Sequence, residues 1–144
     1  MKRHLTLNRV YWFSAAHRLH SKSLSEKENR IVYDKCNNLQ GHGHDYKIEI
    51  SLLGSPDPQT GMIFSLDSFD AIVEEILCRL NHRHLDKEVA YFKDHPSTGE
   101  NIVAYLWQEL ESRFPPNHLF HMKLWETKNN YFEYVNRRFR NEYN

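Results

Sequence analysis

Residues 42–53 read HGHDYKIEISLL, and polar and apolar side chains alternate through this stretch. Four apolar or aromatic positions share one side: Tyr46, Ile48, Ile50 and Leu52. Alternation with a period of two is typical of a strand with one buried face. Because His42 and His44 keep the same phase, the pattern predicts a strand from about His42 to Leu53 with two imidazoles at one end of its buried face.

The preceding segment, Leu5 to Leu19, alternates in the same way. One predicted face carries Leu5, Leu7, Tyr11, Phe13, Ala15 and His17. If the two strands pair with their apolar faces on the same side, His17, His42 and His44 converge. Three neutral histidines with an open fourth position form a catalytic zinc site. The H-x-H spacing by itself also fits core or surface histidines, so the motif alone leaves both interpretations open.

A polar segment follows the first of these two strands, and a turn with a further alternation follows the second. Residues 21–43, SKSLSEKENRIVYDKCNNLQGHG, are predicted to form a long polar loop, and a loop of this length is a candidate functional segment. After the turn SPDPQTG at 55–61, alternation at Met62, Phe64 and Leu66 predicts a short third strand and a hairpin.

Two helices are predicted after the third strand. Apolar residues recur with helical spacing over Phe69–Leu80, and Ser65 or Asp67 is the expected N-cap. Ser97 and Glu100 have the spacing of a capping box, so they are expected to open the second helix.

The last predicted elements are strands at about 119–127 and 131–135. The element order is then β-β-β-α-α-β-β. Strand runs with two adjacent helices between them favour an α+β fold, with an antiparallel β-sheet and two helices packed on one face.

Length, charge and cysteine usage limit the kind of protein. The 144 residues suggest a single domain over 1–144, with a core at about 5–135 and a basic C-terminal tail at 136–144. Lys plus Arg and Asp plus Glu both number 19, so no net charge attracts nucleic acid or a membrane surface. No apolar run has the length of a membrane span. The N-terminus does not resemble a secretory signal, and two cysteines make a poor disulfide framework, so we expect a cytoplasmic protein.

Four side chains outside the histidine trio are candidates for chemistry. Cys36 follows Lys35, whose charge would favour the thiolate. Glu126 continues an apolar alternation, and a buried carboxylate there would need partners such as the guanidine-like edge of a heterocycle. His82 has the right type for a general acid or base, and Asn81 could orient its ring. For each of them, an idle solvated side chain is the alternative.

Taken together, five segments between about Tyr11 and Tyr134 resemble the 6-pyruvoyl-tetrahydropterin synthase family, in its pyruvoyl branch. The segments are FSAAHRLHSKSLS (13–25), KCNNLQGHGHDYK (35–47), DPQTGMIFSL (57–66), STGEN (97–101) and LWETKNNYFEYV (124–135). Such a set, in this order and over nearly the whole chain, is far more specific than one H-x-H motif. The resemblance implies the tunnelling fold, in which trimers form barrels and two barrels stack into a homo-hexamer.

The resemblance also implies an activity in tetrahydrobiopterin biosynthesis. A zinc-dependent lyase of this family converts 7,8-dihydroneopterin triphosphate to 6-pyruvoyl-tetrahydropterin and triphosphate by internal redox. It implies that Glu126 anchors the pterin ring, with Thr98 and Glu100 in the segment next to it.

The metal and the acid–base groups are implied in the same way. The resemblance places the Zn²⁺ ligands at His17, His42 and His44. It makes Cys36 the catalytic thiol and His82 its acid–base companion from a neighbouring subunit, because the family's active sites lie between subunits.

One position departs from the family pattern. Members usually carry Asp just before the catalytic histidine, whereas this chain has Asn81 before His82. Asn can accept a hydrogen bond from an imidazole N–H, but it has no charge to stabilise an imidazolium. We therefore predict a slower enzyme, not an inactive one.

Three other functions fit parts of the sequence. The sister branch, 6-carboxy-tetrahydropterin synthase, uses the same substrate and expels a two-carbon aldehyde. Its cysteine typically lies closer to the HGH pair than Cys36, which five residues separate from His42. Asn81 leaves open a weakly active zinc- and pterin-binding homologue. A structural zinc domain would use a protein side chain, such as Cys36, as the fourth ligand.

Overall fold

The computed structural model describes residues 5–142 around a five-stranded sheet with the spatial order β3-β1-β2-β4-β5. The strands are β1 (Leu5–His17), β2 (His42–Gly54), β3 (Arg83–His84), β4 (Leu119–Trp125) and β5 (Tyr131–Val135). The helices are α1 (Glu26–Tyr33), α2 (Leu66–Leu77), α3 (Leu85–Glu88), α4 (Tyr91–Asp94) and α5 (Gly99–Glu111). Two 3₁₀ turns span Asp34–Asn37 and Arg137–Glu142.

The long antiparallel pairing of β1 with β2 positions the site. The register places His17 opposite His42 and Ala15 opposite His44. One step further along, Phe13 lies opposite Tyr46, and their rings stack with centroids 4.8 Å apart. The predicted phase of the two strands is therefore confirmed, and the histidines lie at one end of the buried face.

The sheet is mixed, so the prediction of a purely antiparallel sheet is wrong at one edge. The short strand β3 runs parallel to β1, pairing Ala15 with Arg83 and Ala16 with His84. Two residues are too few to show periodicity, and their neighbours are charged, which is why the sequence pattern did not reveal this strand.

The predicted third strand through Met62, Phe64 and Leu66 is also wrong. Residues 61–65 contain no strand, with a bend at 63–64, and α2 begins at Leu66 with the Ser65 hydroxyl accepting a hydrogen bond from the Ser68 N–H. Phe64 contacts the rings of Phe69 and Phe114, at centroid distances of 6.3 and 5.5 Å. Of the three alternating residues, only Phe64 packs against the core, whereas Met62 and Leu66 are exposed, so the alternation does not mark a strand.

The two long helices α2 and α5 cover the buried face of the sheet, as predicted. The buried residues of α5 are Ile102, Val103, Tyr105, Leu106, Trp107 and Leu110, together with Gly99 at its start. Its N-cap is Thr98, whose hydroxyl accepts from the Asn101 N–H, and not the expected Ser97. The Ser97 hydroxyl instead donates a hydrogen bond to Asp86 at 2.7 Å.

The segment 21–43 is not the featureless loop that its polarity predicts, because it contains α1. A capping box starts this helix: the Ser25 hydroxyl accepts from the Glu28 N–H at 3.1 Å, and the Glu28 carboxylate accepts from the Ser25 N–H at 2.7 Å. The S-x-x-E spacing was a helix signal in an otherwise polar stretch.

The tail predicted at 136–144 begins with the 3₁₀ turn Arg137–Glu142. Residues 143–144 and the side chains of residues 140–142 lie outside the described part. Within the described residues, every helix is too short or too polar to cross a membrane.

Candidate metal and substrate site

The histidine trio meets where β1 ends and β2 begins. The ligand nitrogens of His17, His42 and His44 all lie within 4.8 Å of one another. The Nε2 atoms of His17 and His42 are 3.1 Å apart. Nitrogens that share a tetrahedral zinc ion are separated by about 3.4 Å, so the trio needs little movement to hold one.

The protonation state of His17 suits a metal ligand. Its Nδ1 lies 2.7 Å from the carbonyl oxygen of Ser97, and a carbonyl only accepts, so Nδ1 carries the proton and Nε2 has the free lone pair. Burial lowers the pKa of His17 to about 4, and the charges of His42 and His44 act in the same direction. The pKa of His44 is lowered for the same two reasons, burial and His42. The residues present therefore fit a divalent metal that binds neutral imidazoles.

The carboxylate of Glu126 lies beside the histidine trio. β4 ends at Trp125, but the Glu126 side chain remains only 15% exposed, which is nearer to the buried than to the solvated alternative. Its Oε1 lies 3.6 Å from Nε2 of His17 and 3.8 Å from Nε2 of His44. Burial raises the pKa of Glu126, and the nearby charge of Glu100 adds to the effect.

The segment that starts α5 lies beside this carboxylate. Glu100 is close enough to affect the pKa of Glu126, and Thr98 uses its hydroxyl to cap the helix. Gly99 packs directly against the ring of Phe132, with no room for a Cβ. The glycine is thus required by close packing between α5 and β5.

Cys36 is held next to the residues that follow His17. It lies in the 3₁₀ turn, and its carbonyl accepts from the Leu19 N–H at 2.9 Å. The buried Asn37 donates its Nδ2 to the carbonyl of Leu19 at 2.7 Å. These bonds tie the turn to the chain just beyond β1.

The electrostatics of Cys36 differ from the expectation. Its pKa is raised, first by burial and then by the charges of Glu126 and Asp34. Lys35 is not among the groups that shift it, so the predicted activation by Lys35 is wrong for the single chain. The thiol needs a base or a cation from elsewhere before it reacts as a thiolate.

His82 and Asn81 lie apart from the histidine trio in sequence, in the segment between α2 and β3. The His82 N–H donates to the carbonyl of Ser14 at 2.6 Å, with φ at 58°, and its ring is exposed. Asn81 Oδ1 accepts from the Ser14 N–H at 3.0 Å. His82 lines a cavity of about 460 Å³ with His44 and Asp45, and Cys36 is not part of its lining.

The comparisons with known proteins agree with this geometry. A family model described as 6-pyruvoyl tetrahydropterin synthase matches residues 6–137. The chain belongs to this family. It is 44% identical over 123 residues to 6-pyruvoyl tetrahydrobiopterin synthase of Homo sapiens, covering 85% of each chain. The match to the Poecilia reticulata protein of that name is 44% over 129 residues, or 89% of this chain and 88% of the relative.

A solved structure extends the agreement to three dimensions. The 6-pyruvoyl tetrahydropterin synthase of Caenorhabditis elegans superposes with a TM-score of 0.91 at 40% identity, covering 94% of this chain and 97% of that one. The family resemblance predicted from the five sequence segments is thus confirmed.

Two residues of this family member have a role that sequence reasoning missed. Ser97 supplies the carbonyl that orients His17, and Asp86 holds Ser97 in place. Asp86 accepts from the Ser97 hydroxyl at 2.7 Å and from the Arg18 N–H at 2.6 Å. A backbone carbonyl leaves no sequence signal, and Asp86 lies in a charged stretch where an exposed carboxylate is the default expectation.

Proposed function

We propose that the chain is a zinc-dependent lyase that converts 7,8-dihydroneopterin triphosphate to 6-pyruvoyl-tetrahydropterin and triphosphate, in tetrahydrobiopterin biosynthesis. The observation that carries this proposal is the cluster of three histidine nitrogens within 4.8 Å of one another, with the mostly buried carboxylate of Glu126 within 4 Å of His17 and His44. The names of relatives that are 44% identical over most of the chain support the same reaction.

Glu126 would anchor the pterin ring. A carboxylate presents two oxygens, and the amino-pyrimidine edge of a pterin presents adjacent N–H donors at matching spacing. Burial makes these hydrogen bonds stronger than they are in water. Thr98 and Glu100 would border the ring, because their segment lies against Glu126.

His17, His42 and His44 would hold Zn²⁺, which when bound supplies a Lewis acid for the oxygens of the substrate side chain. The reaction moves hydrogen from the side chain to the ring while triphosphate leaves, so no external electron carrier is needed. Cys36 would take a proton from the side chain, and His82 would exchange protons with the thiol. The raised pKa of Cys36 makes such a base necessary.

Cys36 does not line the cavity around His82 within one chain, which supports an assembly in which subunits share the site. We infer a cytoplasmic homo-hexamer, a dimer of trimers, in which the cavity around His82 faces the thiol of a neighbouring subunit. Residues 1–144 would act as one catalytic domain, without nucleic-acid or membrane partners.

Product analysis tests the proposed reaction. The zinc-loaded protein is incubated anaerobically with 7,8-dihydroneopterin triphosphate, and the products are identified by mass spectrometry. We expect 6-pyruvoyl-tetrahydropterin and triphosphate. A carboxy-pterin with acetaldehyde would instead make the chain a 6-carboxy-tetrahydropterin synthase. Unchanged substrate, with zinc and pterin bound, would make it a binding protein.

A further inference from the structure

Ser14 is the junction between the sheet and the segment that carries His82. Its N–H donates to Asn81 Oδ1 at 3.0 Å, and its carbonyl accepts from the His82 N–H at 2.6 Å. Because Asn81 and His82 bind both backbone groups of Ser14, the position of His82 depends on this one residue of β1. The Oδ1 of Asn81 makes that backbone contact.

The third polar group of Ser14, its hydroxyl, binds a carboxylate. Asp45 lies directly opposite Ser14 in the register of β1 and β2, and Asp45 Oδ1 accepts from the Ser14 hydroxyl at 2.5 Å. Among the described residues, no lysine or arginine forms an ion pair with Asp45, and its second oxygen has no hydrogen-bond donor. A full negative charge is therefore held in place with one oxygen free.

Asp45 and His82 line the same cavity, together with His44, Arg83 and His84. The charge of Arg83 is directed elsewhere, since its guanidinium pairs with Glu88 at 3.4 Å. The side chains of Asp45 and His82 are both exposed, and the ring of His82 has no side-chain partner among the described residues. In this conformation the Asp45 carboxylate and the His82 ring form neither a hydrogen bond nor an ion pair, so a pairing across the cavity needs a rotamer change of the exposed His82 side chain.

We propose that Asp45 is the positioning carboxylate for His82, in the role that the family pattern gives to an aspartate at position 81. A carboxylate beside an acid–base histidine selects its tautomer and stabilises the imidazolium, which Asn81 does not do. The inference rests on the proposed function, because the role of His82 does. It explains how a chain with Asn81 keeps a working proton relay.

Kinetic measurements on variants that remove the carboxylate at position 45, or move it to position 81, test the proposal. D45N is expected to lower kcat per bound zinc by on the order of tenfold to a hundredfold, with KM unchanged, because the substrate is bound elsewhere. The double variant D45N/N81D restores the charge at the other position. An aspartate at 81 keeps the Ser14 N–H with one oxygen and offers the second to His82, so we expect most of the lost kcat to return. E49Q removes a carboxylate from the same strand face and serves as the matched control.

A spectroscopic measurement makes the test independent of turnover. Long-range ¹H–¹⁵N NMR of the imidazole reports which nitrogen of His82 carries the proton. We expect D45N, but not E49Q, to change the tautomer pattern of His82, whether or not the protein turns over the proposed substrate. If the native protein is inactive but this change occurs, the proposed function fails and the Asp45–His82 pairing stands. A kcat within twofold of native in D45N with the His82 signals unchanged, or a double variant no faster than D45N, overturns the pairing.

Discussion

The metal trio and the acid–base segment are two regions built in opposite ways. His17, His42 and His44 are placed by a strand register, lie on a buried face and have their nitrogens within 4.8 Å of one another. His82 lies on an exposed segment with φ at 58°, and backbone bonds to one residue, Ser14, hold it there. The first region is rigid, because two paired strands of one chain hold all three histidines. In the second region, the acid–base behaviour of His82 depends on the side chains around it.

The largest expected effect is on the rigid region. H42A removes one of three ligands, and two imidazoles hold zinc far more weakly than three. We expect the loss of bound zinc and at least about a thousandfold loss of 6-pyruvoyl-tetrahydropterin formation. Zinc content by elemental analysis and product by mass spectrometry check this. The control is H121A, whose side chain pairs with Glu133 on the other face of the sheet. Full zinc content in H42A would contradict the assignment.

The pH dependence of stability also reports on the buried trio. The pKa of His17 is about 4 in the folded chain against 6.5 when exposed, so the unfolded state binds more protons between these values. The free energy of unfolding of the metal-free protein should therefore fall as the pH drops from 6.5 towards 4, by at most about 3 kcal/mol. Above pH 6.5 this contribution is fully present. His44 acts with the same sign.

Urea denaturation of chelator-treated protein across this window measures the slope, and the matched H17Q variant should show a shallower one. An equal slope in H17Q would mean that other groups cause the acid sensitivity.

A smaller effect is expected at the substrate end of the rigid region. E126Q keeps the size of the side chain but loses the charge that accepts the pterin N–H donors. We expect pterin binding to weaken by about tenfold to a hundredfold while the zinc content stays the same. Titration calorimetry with a reduced pterin measures this. E133Q, on the other face of the sheet, is the control, and an unchanged affinity in E126Q would remove Glu126 from the binding site.

The smallest effect comes from the support of His17. D86N weakens the hydrogen bond that holds Ser97, so the zinc affinity should fall by on the order of tenfold. Competition with a chromophoric chelator measures the affinity. The control D94N changes an exposed carboxylate whose side chain is 82% accessible. If D86N and D94N hold zinc equally, the chain from Asp86 through Ser97 to His17 has no role in metal binding.

The same contrast explains what the sequence could predict. Period-two alternation in β1 and β2 predicted the pairing, the buried face and the convergence of the three histidines. Helical spacing predicted α2 and α5 in the same way. These patterns work because each residue's side follows from its position in a long regular element.

Prediction failed where a few backbone contacts decide the structure. The two residues of β3 carry no period. Phe64 packs on the core from a loop, whereas Met62 and Leu66 are exposed. Asn81 was expected near the ring of His82, but its amide binds the Ser14 N–H. Lys35 neighbours Cys36 in sequence, whereas Glu126, distant in sequence, influences its pKa. Neighbourhood in sequence is a poor guide to electrostatics outside regular elements.

A zinc titration followed by product formation tests the central claim most directly. Zinc is added in steps to chelator-treated protein with 7,8-dihydroneopterin triphosphate, without oxygen. The account predicts that 6-pyruvoyl-tetrahydropterin formation rises with zinc and saturates at one ion per chain, and that H42A stays inactive throughout. Equal product formation without zinc, or saturation at one ion in H42A, would contradict it.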